Sequence, residues 1–226
     1  DTFRLLFDEE VSNDAAVRGN LDLVTQFHYG QLVWDRDWNE DLQTELSVQV
    51  GPSRNRFGLG DLFQFQGDFL SIQTRTEARW RVASWLRLIG GMDIQIIPFE
   101  LRVEGPQPRQ NEGRGVDGPP AREGRISVDT TGSVYRPAAY VEAEFEPIDD
   151  LRFVAGFRSD WYREIASWSH NPRFSAFWQV TESTRLRGGV GLYSQPPFFS
   201  ESVEGVGNPD LSPNQSLHVG LGVDHE

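Results

Sequence analysis

Apolar and polar residues alternate along most of this chain, and that repeat narrows the possible folds more than any other feature. Ala139, Val141, Ala143 and Phe145 fall at every second position, with Tyr140, Glu142, Glu144 and Glu146 between them. Leu42, Thr44, Leu46 and Val48 alternate with Gln43, Glu45, Ser47 and Gln49 in the same way. So do Leu86, Leu88, Met92, Ile94 and Ile96 against Arg87, Asp93 and Gln95. Further on, Leu151, Phe153, Ala155 and Phe157 oppose Arg152, Gly156, Arg158 and Asp160, and Leu217, Val219, Leu221 and Val223 oppose Ser216, His218 and Asp224. Period two belongs to β-strands, whose successive side chains point to opposite sides.

The links between these segments alternate in length. Short turns are expected near 36–41, 83–84, 147–150 and 181–184. Longer loops are expected near 9–20, 51–60, 105–133, 165–170 and 196–215. Short-long alternation arises when the two ends of a meander face different compartments, as in membrane barrels. A soluble sandwich has no reason to keep it. The expected fold is therefore all-β: an antiparallel transmembrane β-barrel, present in part, with roughly ten strands. No window approaches the ~18 apolar residues of a membrane helix, which is no objection to a barrel, because barrel strands keep their average hydropathy low.

Residues 61–82 would extend about 70 Å at ~3.3 Å per residue, well beyond a hydrocarbon core of ~30 Å. The apolar parity also switches near Phe69-Leu70, from Phe63, Phe65 and Phe69 to Leu70 and Ile72. A bulge there, or a strand leaving the membrane, would account for the switch. Aromatics gather near strand ends: Trp34, Trp38, Trp80, Trp85 and Trp178 at one end, and Trp161, Tyr162, Trp168 and Tyr193 at the other. Such rings suit interfacial girdles, because each has an apolar body and a wet edge.

Charge and composition exclude other classes. Lys plus Arg total 21 against 34 Asp plus Glu, a net charge of −13, which argues against binding nucleic acid through its phosphates. There is no cysteine, hence no disulfide framework or thiolate metal site. Asp1-Thr2-Phe3-Arg4 carries no signal-peptide pattern, and Asp224-His225-Glu226 ends without a closing aromatic. Both ends read as cuts inside a longer protein.

Four phrases carry a family resemblance. Leu151-Arg152-Phe153-Val154-Ala155-Gly156-Phe157-Arg158-Ser159-Asp160 is similar to a strand motif L-x-x-x-x-G-x-R-x-D. Asn171-Pro172-Arg173-Phe174 stands where the family writes Ser-Pro-Arg. Leu186-Arg187-Gly188-Gly189-Val190-Gly191-Leu192-Tyr193-Ser194-Gln195-Pro196-Pro197 matches a glycine-rich strand ending in Gln-Pro-Pro. Gly207-Asn208-Pro209-Asp210-Leu211-Ser212-Pro213-Asn214 resembles G-N-P-x-L-x-P-E, with Asn214 in place of the usual Glu. In this order, over roughly the last 90 residues, they resemble the late barrel of TonB-dependent receptors.

The resemblance implies a plugged barrel of the 22-strand class in a Gram-negative outer membrane. Residues 1–226 would be a single barrel segment, with the plug domain outside this chain. The implied partners are TonB, reached through the absent N-terminal part, the lipid bilayer, and a small ligand such as a ferric siderophore, cobalamin or another metal chelate. Neither catalysis nor a cofactor is implied. Read on residues alone, a porin, an adhesin or a soluble carbohydrate-binding sandwich stays open.

Several motifs fail on context. Gly113-Arg114-Gly115-Val116-Asp117-Gly118 fits G-x-G-x-x-G, but Pro119-Pro120 follows where a nucleotide site needs a helix. Asp35-Arg36-Asp37-Trp38-Asn39 opens like a calcium loop but has Glu40 where the turn glycine belongs. His28, His170, His218 and His225 show no metal-protease spacing, and the serine nucleophile elbow is absent. Candidate ligand contacts are Arg109, Arg114 and Arg122 in the long outer loop, where arginine suits an anionic chelate. Trp168, His170, Phe198 and Phe199, at the outer strand ends and the Pro196-Pro197 loop, complete the set.

Overall fold

The computed structural model describes residues 2–7, 19–106, 125–202, 208 and 210–225. Eleven strands dominate. β1 (Thr2–Phe7), β2 (Gly19–Phe27) and β3 (Gly30–Asp37) are short. β4 (Leu42–Leu59), β5 (Phe63–Ala83), β6 (Leu86–Pro106) and β7 (Arg125–Ile148) are long, at 18 to 24 residues. β8 (Leu151–Tyr162), β9 (Ser167–Thr181), β10 (Thr184–Gln195) and β11 (Asn214–His225) run 12 to 15. One helical turn, Phe199–Ser202, precedes β11.

The sheet is an antiparallel meander in the order β1-β2-β4-β5-β6-β7-β8-β9-β10-β11, with β3 also on β4. β2 pairs with the Ser53–Leu59 stretch of β4, while Trp38 N, just past β3, donates to Leu42 O at β4's other end. Counted along the path there are ten strands, as the alternation implies. The order is open: it begins at β1 and ends at β11, which fits part of a barrel.

Four links are as short as expected. Asn39, Asp41 and Glu40 form one turn, in which Asn39 Oδ1 accepts from Asp41 N and Leu42 N at 2.9 Å each. Ser84-Trp85, Asp149-Asp150 and Glu182-Ser183 form the others. Three expected long loops are corrected. Residues 51–59 are strand, closed by a tight turn at Gly60, whose φ of 48° suits glycine. Their loop-like composition, Gly-Pro-Ser-Arg-Asn-Arg, is overridden by pairing with β2 and β5. The loop expected over 105–133 is strand from Arg125 onward, and residues 107–124 lie outside the described set, as does most of 9–20. The connection expected at 165–170 is a single turn at Arg163–Ile165 and Ala166, and β9 already begins at Ser167.

The chain divides into two compact units. The first comprises Asp1–Gly30, Val50–Ile72 and Ile96–Val134. Its core lies on one side of the strands: Leu101 (2% exposed) and Val103 and Val134 (4% each) are sealed, with Leu62 beside them. Phe57 meets Phe63 at 5.7 Å and Phe69 meets Phe99 at 6.4 Å. Charges occupy the alternate positions, where Arg54 pairs with Asp68 and Arg102 with Asp129.

The second unit comprises Gln31–Gln49, Gln73–Gln95 and Tyr135–Glu226. Its apolar rows face outward unburied: Val141 is 53% exposed, Val190 44%, Val219 71% and Leu221 92%. The registers keep these rows together, Val141 opposite Phe157, Ala155 opposite Phe174, and Val190 opposite both Phe174 and Val219. A greasy exposed side and an ionic opposite side reverse the arrangement of a water-soluble sheet.

Along the long strands the apolar parity reverses. On β6, Leu88, Met92, Ile94 and Ile96 hold even positions, then Phe99, Leu101 and Val103 hold odd ones. On β7, Val141, Ala143 and Phe145 are odd, whereas Ile126, Val128 and Val134 are even. β4 and β5 do the same, from Leu46, Val48 and Val50 to Phe57 and Leu59, and from Trp80 and Ile72 to Phe65 and Phe63. Within the first unit, Phe63 meets Gly105 and Phe69 meets Phe99, so six residues of β5 match six of β6 there.

Candidate functional site

The polar side of the second unit carries one continuous chain of charges. Arg79 reaches Glu45 at 3.7 Å and Glu77 at 2.5 Å, and Glu77 lies 3.5 Å from Arg75. Arg75 faces Asp93 at 3.6 Å, Asp93 accepts from Arg158, and Arg158 binds Asp160 at 2.8 Å. These residues sit on β4, β5, β6 and β8. Period two places them: Arg75, Glu77 and Arg79 are alternate residues of β5, and Arg158 and Asp160 are alternate residues of β8.

Tyr140 of β7 ties the middle together. Its hydroxyl donates to Glu77 at 2.5 Å and accepts from Arg75 Nε and Nη2 at 3.3 and 3.2 Å. To reach β5 the ring must cross β6, and Gly91 makes that possible. A Cβ at Gly91 would stand 2.6 Å from the Tyr140 hydroxyl and 2.2 Å from Thr76 O. Ala138 beside Tyr140 is small and buried. Arg136–Glu164 at 2.5 Å, Arg87–Glu144 at 2.9 Å and Arg81–Asp41 at 2.7 Å extend the ionic wall.

Most of these arginines are about half exposed, so a single pair contributes at most ~1 kcal/mol. As a network they form a rigid polar surface that can hold another polar surface or hydrated cargo. A cavity of about 450 Å³ lies against it, bordered by Gln49, Gln73, Gln95, Arg75, Arg136 and Tyr162. Among the described residues, no group of three or more His, Cys, Asp or Glu could hold a metal ion.

Of the expected ligand contacts, Trp168, His170 and Phe198 are described with their side chains. Arg109, Arg114 and Arg122 lie outside the described residues, and so does the Gly113–Gly118 motif. Trp168 and His170 are strand residues of β9, not loop residues. Trp168 packs on Trp161 at 5.1 Å, and His170 stacks on Phe157 at 5.9 Å and bonds Ser159 Oγ at 3.1 Å. They share the side of Phe174 and Trp178, the apolar side. Phe198 is 67% exposed in the loop after β10, where its N–H donates to Glu201 Oε2 at 2.8 Å. Of Phe199 only the backbone is described. The girdle expectation divides: Trp161 and Trp168 join the apolar side, whereas Tyr162 and Tyr193 stand at alternate positions on the polar one. Tyr162 meets Ser169 Oγ at 3.3 Å, and Tyr193 rests on His218 at 4.7 Å.

Trp168 and Trp178 bracket Phe174 and Ala176 on one row of β9, ten positions apart. Ten residues at ~3.3 Å rise ~33 Å along the strand. Tilted at ~40–45°, that gives about 25 Å, the height of a barrel's apolar band between its girdles.

A family model for the TonB dependent receptor-like β-barrel matches residues 2–225. The chain belongs to the TonB-dependent receptor β-barrel family. Solved structures share the fold. The siderophore receptor PirA from Acinetobacter baumannii superposes with a TM-score of 0.66 at 16% identity, over 92% of this chain and 33% of its own. The copper transporter OprC gives 0.67 at 15% identity, over 93% and 37%. The ferric-catecholate import receptor Fiu from E. coli K12 gives 0.60 at 12%, over 90% and 38%. This receptor barrel thus spans a little over a third of such chains. A search of curated proteins returns no match.

Sequence reading treated the alternating acids of the receptor barrel as a wet wall but did not find the Arg75–Tyr140–Arg158 network. The signal was present in part. Arg75, Glu77 and Arg79 share a parity, as do Arg158 and Asp160, but only registers join strands 60 to 80 residues apart.

Proposed function

We propose that this chain spans the outer membrane of a Gram-negative bacterium as part of a receptor barrel that imports a scarce small ligand, such as a metal chelate, with energy delivered by TonB. One observation carries the reading: the second unit exposes its apolar rows, on β9 with His170, Pro172, Phe174 and Ala176 between tryptophans about a bilayer's height apart, and puts its ion pairs on the other side. In lipid such a sheet satisfies its backbone within the barrel and its side chains by facing hydrocarbon. The ionic network then lines an enclosed interior. We assign it the task of holding a plug domain carried elsewhere in the full protein. The barrel does no covalent chemistry; it binds, orients and admits. Phe198 and the arginines Arg109, Arg114 and Arg122 are assigned to the outer mouth.

The test is uptake by cells carrying the full-length gene. Accumulation of a radiolabelled ferric siderophore that stops when TonB is deleted supports import. Uptake of small solutes that is indifferent to TonB, with a steady open conductance in planar bilayers, would make the protein a porin instead.

A further inference from the structure

The apolar rows of β8 to β11, all in the second unit, carry two titratable side chains, His170 and His225. His170 stands on β9 in the row of Phe174 and Trp178, and His225 on β11 in the row of Leu221 and Val223. They mark opposite ends of those rows. His170 is the next member of its row after Trp168. At the other end Trp178 pairs with Leu186, Leu186 pairs with Val223, and His225 lies one step past Val223.

The two histidines are built into the sheet in the same way. Each faces a hydroxyl residue on the neighbouring strand, His170 opposite Ser159 and His225 opposite Thr184. Nδ1 is hydrogen-bonded to Ser159 Oγ at 3.1 Å in the first and to Thr184 Oγ1 at 2.9 Å in the second. Either hydroxyl can donate to Nδ1, which leaves the ring proton on Nε2 at the far edge. His170 is held further by Phe157 at 5.9 Å and Trp168 at 6.3 Å, its ring within 15° and 10° of theirs. Both histidines are exposed, and among the described residues neither Nε2 has a protein partner.

A ring N–H at the end of an apolar row is costly without an acceptor. An imidazole that takes up a second proton needs a counter-charge as well. The sheet supplies no carboxylate there. On this side of β8 to β11 no Asp or Glu occurs among the described residues, because the acids hold the alternate positions. The groups beside His170 are Phe157, Ser159 and Trp161 on β8 and Trp168 and Pro172 on β9. The matching acceptor must come from outside the sheet, and at both ends of the rows. Where lipid-facing rows end they meet headgroups, and the anionic acceptor of a phospholipid headgroup is its phosphate.

We propose that His170 and His225 each bind a lipid phosphate through Nε2, one at either face of the membrane. The proposal rests on the membrane reading of the barrel. The test is solid-state NMR of the full-length receptor, with nitrogen-15 in its histidine rings, in phosphatidylglycerol bilayers. The ring signals that disappear in His170→Phe and in His225→Phe should lose intensity when phosphorus-31 is recoupled. The signal that disappears in His218→Phe, on the polar side, should keep its intensity. His170→Gln and His225→Gln give the same assignment if a phenylalanine variant does not fold. No loss at His170 and His225, or an equal loss at His218, would overturn the proposal. In the same sample Leu221 should contact acyl-chain protons. If it does while phosphorus contact is missing, only the headgroup site falls; if it does not, the membrane reading falls too.

Discussion

Two stretches of β6 make the useful comparison. Between Leu86 and Ile96, Leu86, Leu88, Met92, Ile94 and Ile96 hold even positions and none is buried, Met92 being 56% exposed. Further along, Phe99, Leu101 and Val103 hold odd positions, and Leu101 at 2% and Val103 at 4% are sealed. On the membrane reading proposed above, one strand serves two solvents. Where the surroundings are hydrocarbon, the aliphatic groups turn outward and the charges inward. Where the surroundings are water, Glu100, Arg102 and Glu104 turn outward and Phe99, Leu101 and Val103 form a core. The same exchange of parity occurs on β4, β5 and β7. A hydrophobic face is thus defined only relative to its solvent.

The strongest way to break the comparison is to truncate each side of β6 in turn. Leu101→Ala should destabilise by about 2–5 kcal/mol, because it leaves a hole in a sealed core. Met92→Ala, facing lipid that can close over it, should cost less than about 1 kcal/mol. Urea unfolding of the receptor refolded into vesicles measures both, and equal losses would merge the two environments. Charge sharpens the contrast. Met92→Arg should cost about 2–4 kcal/mol near the middle of the apolar band. Arg102→Gln, at the same parity past the boundary and 66% exposed with its partner Asp129, should stay within about 0.5 kcal/mol.

A smaller loss is expected at Gly91. Gly91→Ala pushes a methyl into Tyr140 and the Thr76 carbonyl and should cost about 1–3 kcal/mol, whereas Tyr140→Phe, which removes only the hydroxyl's bonds, should cost about 1 kcal/mol. If the alanine variant proves neutral, Tyr140 does not cross β6 at that point.

The smallest effect is acid sensitivity. The hydrogen bond from Arg54 holds the Asp68 carboxyl below its ordinary range, against a partial opposing push from burial. A carboxyl lowered on folding adds stability above its unfolded pKa and loses it as pH falls through the folded value. Wild type should therefore lose slightly more stability than Asp68→Asn between neutral pH and pH 3, and parallel losses would deny the pair a role.

Much of this was legible in the sequence, and for a stated reason. Period two survives any tertiary context, so the rows Val141–Phe145 and Leu217–Val223 could be read directly. The short turns at Asp149-Asp150 and Glu182-Ser183 followed from where the alternation stops. The switch at Phe69-Leu70 was visible too, but a bulge and a change of solvent leave the same mark on one strand. Residues 51–59 misled because glycine, proline and asparagine weigh heavily in a local reading, while strand pairing on two sides is not local. Trp168 and His170 lie in β9 and not in the expected connection, because strand pairing with β8 continues up to the turn at Arg163–Ile165. The charge network was illegible as a network, because Arg75 and Tyr140 are joined only by the fold.

The most direct test is a lipid-contact scan along β6. The chain contains no cysteine, so single cysteines at positions 86 to 104 of the full-length receptor can be spin-labelled one at a time in bilayers. Collision with oxygen should be high at even positions up to 96. Beyond 98 the even positions should instead meet a water-soluble nickel chelate, and 101 and 103 should be shielded from both. A single parity of oxygen contact running unbroken from 86 to 104 would contradict the change of solvent on which the account depends.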